Sequence, residues 1–307
     1  MRRTIPLLLV LLAGLAVCLT ARPSVAFEAT DDGWIVECPY SHTLPSDPIV
    51  YPGEPGKAHE HDFFGARDTD AFSTTTSMRR GGTRCGLAAD TAGYWLPTLM
   101  RDGRVVRPEG GGTEQLVYYR NDLDPSERIH VPPPGLRMVA GNSHAKTESQ
   151  NPLLGTSKLY FNCNDGEGPK DQVAEPPVCD DGILVVHVRF PQCWDGVHLD
   201  SRDHISHMAW TDEGDTCPAS HPVAIPRVTI RAEYPVGQGY DPSDIRFSSG
   251  PYASLHGDFL NTWHQARLRA LVHRCFGGHR DCGTFHVDAP ATSPTPDTQS
   301  ARLRAAR

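Results

Sequence analysis

Apolar positions along this chain come in short runs rather than long stripes. Trp34–Cys38, Thr91–Leu99, Gln115–Tyr119, Leu136–Ala140, Lys158–Asn162, Ile183–Phe190 and Val228–Tyr234 are each β-branched or aromatic in character and bounded by Gly, Pro, Asn or Asp. Such runs predict strands. Ile183–Phe190 reads as a central strand. Asp102-Gly103 before Arg104-Val105-Val106 predicts a tight hairpin. No strand–helix alternation is present, which argues against a parallel α/β sheet. The pattern predicts a mainly β fold, an antiparallel β-sandwich or jelly roll with long loops.

Three stretches depart from that pattern. Ile5–Leu19 is an apolar run behind Arg2 and Arg3, followed by Ser24-Val25-Ala26. This is the layout of a secretory signal peptide cleaved near Ala26, and the run is short for a membrane span. Near the other end, Phe259, Trp263, Leu271, Val272 and Cys275 fall near helical spacing, which predicts one C-terminal helix with Asp258 at or near its start. From about Ala289 the chain turns to Ala, Pro, Thr and Ser and is expected to be a disordered tail. The expected organisation is therefore a signal peptide over 1–26, a single domain over 27–288 and a tail over 289–307.

Composition sharpens the compartment. Of nine cysteines, Cys18 lies in the leader, and eight remain. An even set in an exported chain reads as a disulfide framework, with 105 possible connectivities. The simplest joins neighbours: Cys38–Cys85, Cys163–Cys179, Cys193–Cys217 and Cys275–Cys282. No close C-x-x-C pair suggests a thiolate zinc site. Loss of Arg2, Arg3 and Arg22 with the leader takes the net charge from −8 to −11. That balance speaks against a nucleic-acid partner, which needs a basic face.

Candidate chemistry gathers in three places. Cys193–Trp210 holds three Asp and three His in eighteen residues; His59-Glu60-His61-Asp62 and His256-Gly257-Asp258 lie far from it in sequence. Asp and His are costly to bury without partners, so the three segments are expected to converge on one polar site.

The motifs HEHDFFG at 59–65, GLRMVAGN at 135–142, FPQCWDGVHLDSRDHISHMAW at 190–210, SHP at 220–222 and HGDFLNTWHQARLRALVHRC at 256–275 resemble a secreted family of actinobacteria and fungi catalogued as domain of unknown function 1996. The resemblance runs from about Trp34 to Cys275. Thr262 departs from it, since a Gly often precedes the tryptophan there. Some members carry sugar-binding modules beside this domain, which implies an association with glycans.

The residues support two kinds of chemistry. His59 and His61 are two apart and share a side of a strand, while His204 and His207 are three apart and share a face of a helical turn. Imidazoles presented in pairs suit a divalent metal, so these four are the expected ligands. Asp62, Asp203, His256 and Asp258 are the expected catalytic groups, with Asp203 or Asp258 as the base if a metal is held. Trp194, Trp210, Trp263, Tyr94 and Trp95 are candidate platforms for sugar rings. The functional expectation is an extracellular enzyme, a hydrolase or lyase acting on a glycan or cell-wall polymer through a His/Asp site. The alternative is a non-catalytic carbohydrate- or metal-binding envelope protein, and the blandest reading is a polar network that only pins loops. There is no phosphate-binding loop or G-x-G-x-x-G motif, and Gly141–Ala145 lacks the last glycine of a nucleophile elbow.

Overall fold

The computed structural model describes residues 32–110, 113–124, 127–164, 172–212 and 215–287. The expected signal peptide and C-terminal tail lie outside the described residues. The fold is mainly β, with 34% strand and 11% helix. A six-stranded sheet has the order Asp281–Phe285, Gly33–Glu37, Gln115–Arg120, Arg227–Pro235, Ile183–Arg189, Leu159–Cys163. All its pairings are antiparallel except that of the first two strands. A five-stranded antiparallel sheet has the order Tyr40–Leu44, His61–Gly65, Gly93–Pro97, His256–Leu260, Arg137–Gly141. Ile183–Arg189 is an interior strand, as its near-continuous apolar run predicts, although Arg227–Pro235 is longer.

The two sheets pack face to face as a sandwich. Alternation sends Phe64, Tyr94, Leu96, Met138, Ala140 and Phe259 of the five-stranded sheet into the main core, against Val117, Tyr119, Val186 and Val188 of the other. Gly257 lies where the sheets pack tightly. A Cβ there would sit 2.8 Å from Val188 Cγ1 and 2.9 Å from Leu96 Cδ2, so the contact has no room for a side chain. Trp34 stacks on Tyr119 at 4.8 Å between ring centroids, and Trp263 meets both rings edge-on.

Among the described residues there are two α-helices. Gln265–Cys275 buries Leu268, Leu271, Val272 and Cys275. Its N-cap is His264, and Asp258 lies in the preceding strand. The expectation that Asp258 opens this helix is therefore corrected. Phe259 and Trp263 are four apart and mimic a helical stripe, but Phe259 reaches the core from a strand. The second helix, Thr75–Gly81, was not foreseen. It is held by a capping box between Thr74 and Ser77, and seven residues are too few to show a period.

All four neighbour disulfides form: Cys38–Cys85, Cys163–Cys179, Cys193–Cys217 and Cys275–Cys282. The hairpin turns at Asp102 and Gly103, both at positive φ, between paired Arg101 and Arg104. Among the described residues no helix is long and apolar enough to cross a membrane.

Candidate metal centre

The outer face of the five-stranded sheet, turned away from the main core, carries the site. His61 pairs with Pro97, and Asp258 pairs with Trp95, so two residues earlier His256 falls level with Pro97. His61 and His256 thus flank one proline, with His256 opposite Gly141 on its other side. Two strand spacings separate the histidines by about 9–10 Å along the sheet. Their rings lean over Pro97 toward each other.

The ring nitrogens are placed tightly. His61 Nε2 lies 3.4 Å from His256 Nε2, and His59 Nε2 lies 3.2 Å from the same atom. The Nδ1–H of His61 donates to the Ser46 carbonyl at 2.9 Å, and the Nδ1–H of His256 donates to the Ser254 carbonyl at 2.8 Å. A backbone carbonyl only accepts, so each bond fixes the tautomer and leaves Nε2 as a bare lone pair. Burial, the largest cause, holds all three imidazoles neutral. It lowers His59 to about 4 and His256 to about 3, and pushes His61 well below the usual histidine range. Exposed His144 stands close enough to disfavour charge on both His59 and His256.

His59 would donate to His256 in its Nε2–H tautomer; in its Nδ1–H tautomer three lone pairs converge, and these repel unless a cation lies between them. Metal–nitrogen bonds of about 2.0–2.1 Å in a tetrahedral site separate nitrogens by roughly 3.3–3.4 Å. The observed 3.2 and 3.4 Å match that edge. His59, His61 and His256 each bring a ring nitrogen within 4.8 Å of the others and are a candidate metal-ligand set, with the tautomers of His61 and His256 fixed by their carbonyl bonds. His61 and His256 are buried; His59 is partly exposed and opens the site to solvent.

Next along this face lies a carboxylate pair. Asp47, His61 and Asp258 bring ligand atoms within 4.8 Å of one another. Asp47 Oδ1 accepts from the backbone N–H groups of Ile49 and Val50. Burial, above all, raises the carboxyls of both Asp47 and Asp258. His204 and Asp200 stand close enough to Asp47 to act on its charge. His204 Nδ1 meets Asp200 Oδ1 at 2.9 Å, and Arg137 Nη1 meets Asp200 Oδ2 at 3.3 Å. The Cys193–Trp210 stretch therefore approaches the site through His204 and Asp200.

The expected site residues divide accordingly. His59 and His61 come together with His256, which had been expected as a catalytic group. His207 sits elsewhere: its Nε2 meets the Arg137 carbonyl at 2.6 Å and its Nδ1 meets Ser201 at 2.9 Å. Arg137 is level with Leu260, four residues along the strand from His256, or about 13 Å. The shared helical face of His204 and His207 does not form, because His204 adopts a left-handed φ of 59°. Asp203 accepts from the Ser201 and Ser206 hydroxyls and the Ile205 and Ser206 amides, which organises the loop and holds its carboxyl well below the usual range. Asp62 follows His61 and so points through the sheet into the interface between the sheets, where Thr43 and Thr98 donate to it. Burial raises it to about 6. Of the proposed sugar platforms, Tyr94, Trp95 and Trp263 are fully buried, and Trp194 and Trp210 are half-buried, with Lys158 over the Trp210 ring.

Sequence reasoning missed Asp47, which lies in a Pro-rich segment read as irregular, and His144, considered only within the failed nucleophile elbow. Ser46 and Ser254 contribute through backbone carbonyls and leave no side-chain signal. No curated protein and no solved structure matches this chain. A family model described as Domain of unknown function (DUF1996) matches residues 47–263, which include Asp47, all three converging histidines and the Cys193–Trp210 stretch, and the chain belongs to that family.

Proposed function

We propose that this protein is a secreted metalloenzyme that hydrolyses an extracellular glycan or cell-wall polymer. The observation that carries the metal reading is the convergence of His59, His61 and His256 through Nε2 atoms 3.2 and 3.4 Å apart. His59, His61 and His256 would hold the ion, which would supply Lewis acidity and activate a water. His59, at the solvent-facing side, marks where substrate enters. His204, its tautomer set by Asp200, is an acid–base candidate that approaches the site from the Asp47 side. Asp258 remains with the site, while His207 and Asp203 build the loop that presents His204. Four disulfides support export, since such bonds persist outside the reducing cytosol. The glycan substrate is supported by the sugar-binding modules that accompany this domain in some members of the family.

A second reading, a non-catalytic metal-binding envelope protein, is favoured by one observation: two of the three ligands are buried, as in closed structural sites. One experiment separates the two. The protein is purified from medium, its metal content is measured, and a polysaccharide panel is scored for new reducing ends. Metal-dependent release that His59→Ala abolishes, with folding intact, supports the enzyme. Bound metal without product from any polymer favours the binding protein, and absence of metal binding overturns both.

A further inference from the structure

Asp258 is 1% exposed, and neither carboxylate oxygen meets a hydrogen-bond donor among the described residues. Its cross-strand neighbours are Trp95 and Val139, which supply no compensation. A buried polar group without a partner is costly, and a second carboxylate beside it raises the cost. Yet Asp47, 4% exposed, is held there by two backbone amides. The fold brings one oxygen of each carboxylate and one ring nitrogen of His61 within 4.8 Å of one another.

We infer that Asp47 and Asp258 form a second cation position adjoining the three-imidazole position at His61, so that the centre holds two divalent ions. A neutral imidazole has one free lone pair, so His61 commits to one ion and the two carboxylates hold the other. Carboxylate oxygens suit Mn²⁺, while the imidazole set suits Zn²⁺. Paired ions of this kind clamp both the attacking and leaving oxygens of a displacement. The inference extends the metal reading above to a second ion, and each can fail without the other.

The test is metal stoichiometry on the full mature chain. Metal-free protein is dialysed against Zn²⁺ and Mn²⁺, separately and together, and bound equivalents are counted by elemental analysis. Wild type should bind two equivalents. Asp258→Asn, nearly isosteric and checked for folding by circular dichroism, should bind one, retained by the imidazoles. His59→Ala should also retain one, held by the carboxylates. Asp47→Asn repeats the test with its amide-accepting oxygen kept. One equivalent in wild type that survives Asp258→Asn overturns the second position and leaves the imidazole site standing. One equivalent that survives His59→Ala but not Asp258→Asn does the reverse. One equivalent weakened in both variants means a single shared ion and overturns the two-ion centre, as does no binding at all, which points to a proton shared between the carboxylates.

Discussion

His61 and His256 face each other across Pro97 with Nε2 atoms 3.4 Å apart, and each ring is locked from behind by a backbone carbonyl, of Ser46 and Ser254 respectively. The pair comes from residues 195 apart in sequence, and on the metal reading proposed above neither ring would need to turn to become a ligand. Preorganisation of this kind removes the ordering cost that a flexible site meets on binding.

That relationship predicts the effect of removing one ring. His256 is buried and its Nε2 lies within 3.4 Å of both other Nε2 atoms, so His256→Ala should weaken binding of Co²⁺ more than His59→Ala, which removes a partly exposed ring. Loss of an outer partner alone costs about 10–100-fold in affinity, and loss of a ligand should exceed about 100-fold. Titration followed by the visible absorption of bound Co²⁺ checks both the affinity and the tetrahedral geometry. Equal, small losses in the two variants would show that the nitrogens do not share an ion.

The disulfides should rank by the loops they close. Cys38–Cys85 spans 47 residues and Cys275–Cys282 spans seven. Chain entropy assigns about 4 kcal/mol to the first and about 2.4 kcal/mol to the second. Replacing the first pair with Ala should lower the unfolding midpoint clearly more than replacing the second, measured by thermal and urea melts. The opposite order would place the stabilisation in native contacts instead.

Much of the fold was legible in the sequence for local reasons. Ile183–Arg189 carries its strand identity in seven consecutive residues, and Asp102-Gly103 encodes a turn by itself. Legibility failed where spacing is ambiguous between periods. Phe259 and Trp263 looked helical, and Asp258 was drawn into that stripe, although the strand His256–Leu260 uses period two. The site was half legible. His59 and His61 were paired by strand alternation, but their third partner comes from a register across Pro97 that only pairing reveals. His204 and His207 looked equivalent by spacing, and one left-handed residue separates their fates. Asp47 gave no signal, because its importance depends on which strand passes beside it.

The last prediction concerns stability. Asp90 is fully buried and accepts hydrogen bonds from Tyr94 Oη at 2.9 Å to each oxygen and from the Ala92 amide. Tyr94 in turn meets Tyr119 at 2.5 Å, and Trp263 Nε1 donates to Tyr119. Burial is the largest influence on Asp90 and outweighs these bonds, raising its carboxyl to about 8. In the unfolded chain the same group titrates near 3.9. Between those values the folded state binds more protons than the unfolded one, so Asp90 makes stability fall as pH rises from about 4 to about 8, and adds no further change above that. The slope from one such group approaches about 1.4 kcal/mol per pH unit. Asp62, raised to about 6, acts in the same direction over a narrower window. Asp90→Asn keeps an acceptor for Tyr94 and removes the ionisation. The melting temperature of Asp90→Asn relative to wild type should therefore climb steadily from pH 5 to pH 8. Parallel melting curves across that range would show that Asp90 is already ionised in the native protein and that its hydrogen bonds outweigh its burial.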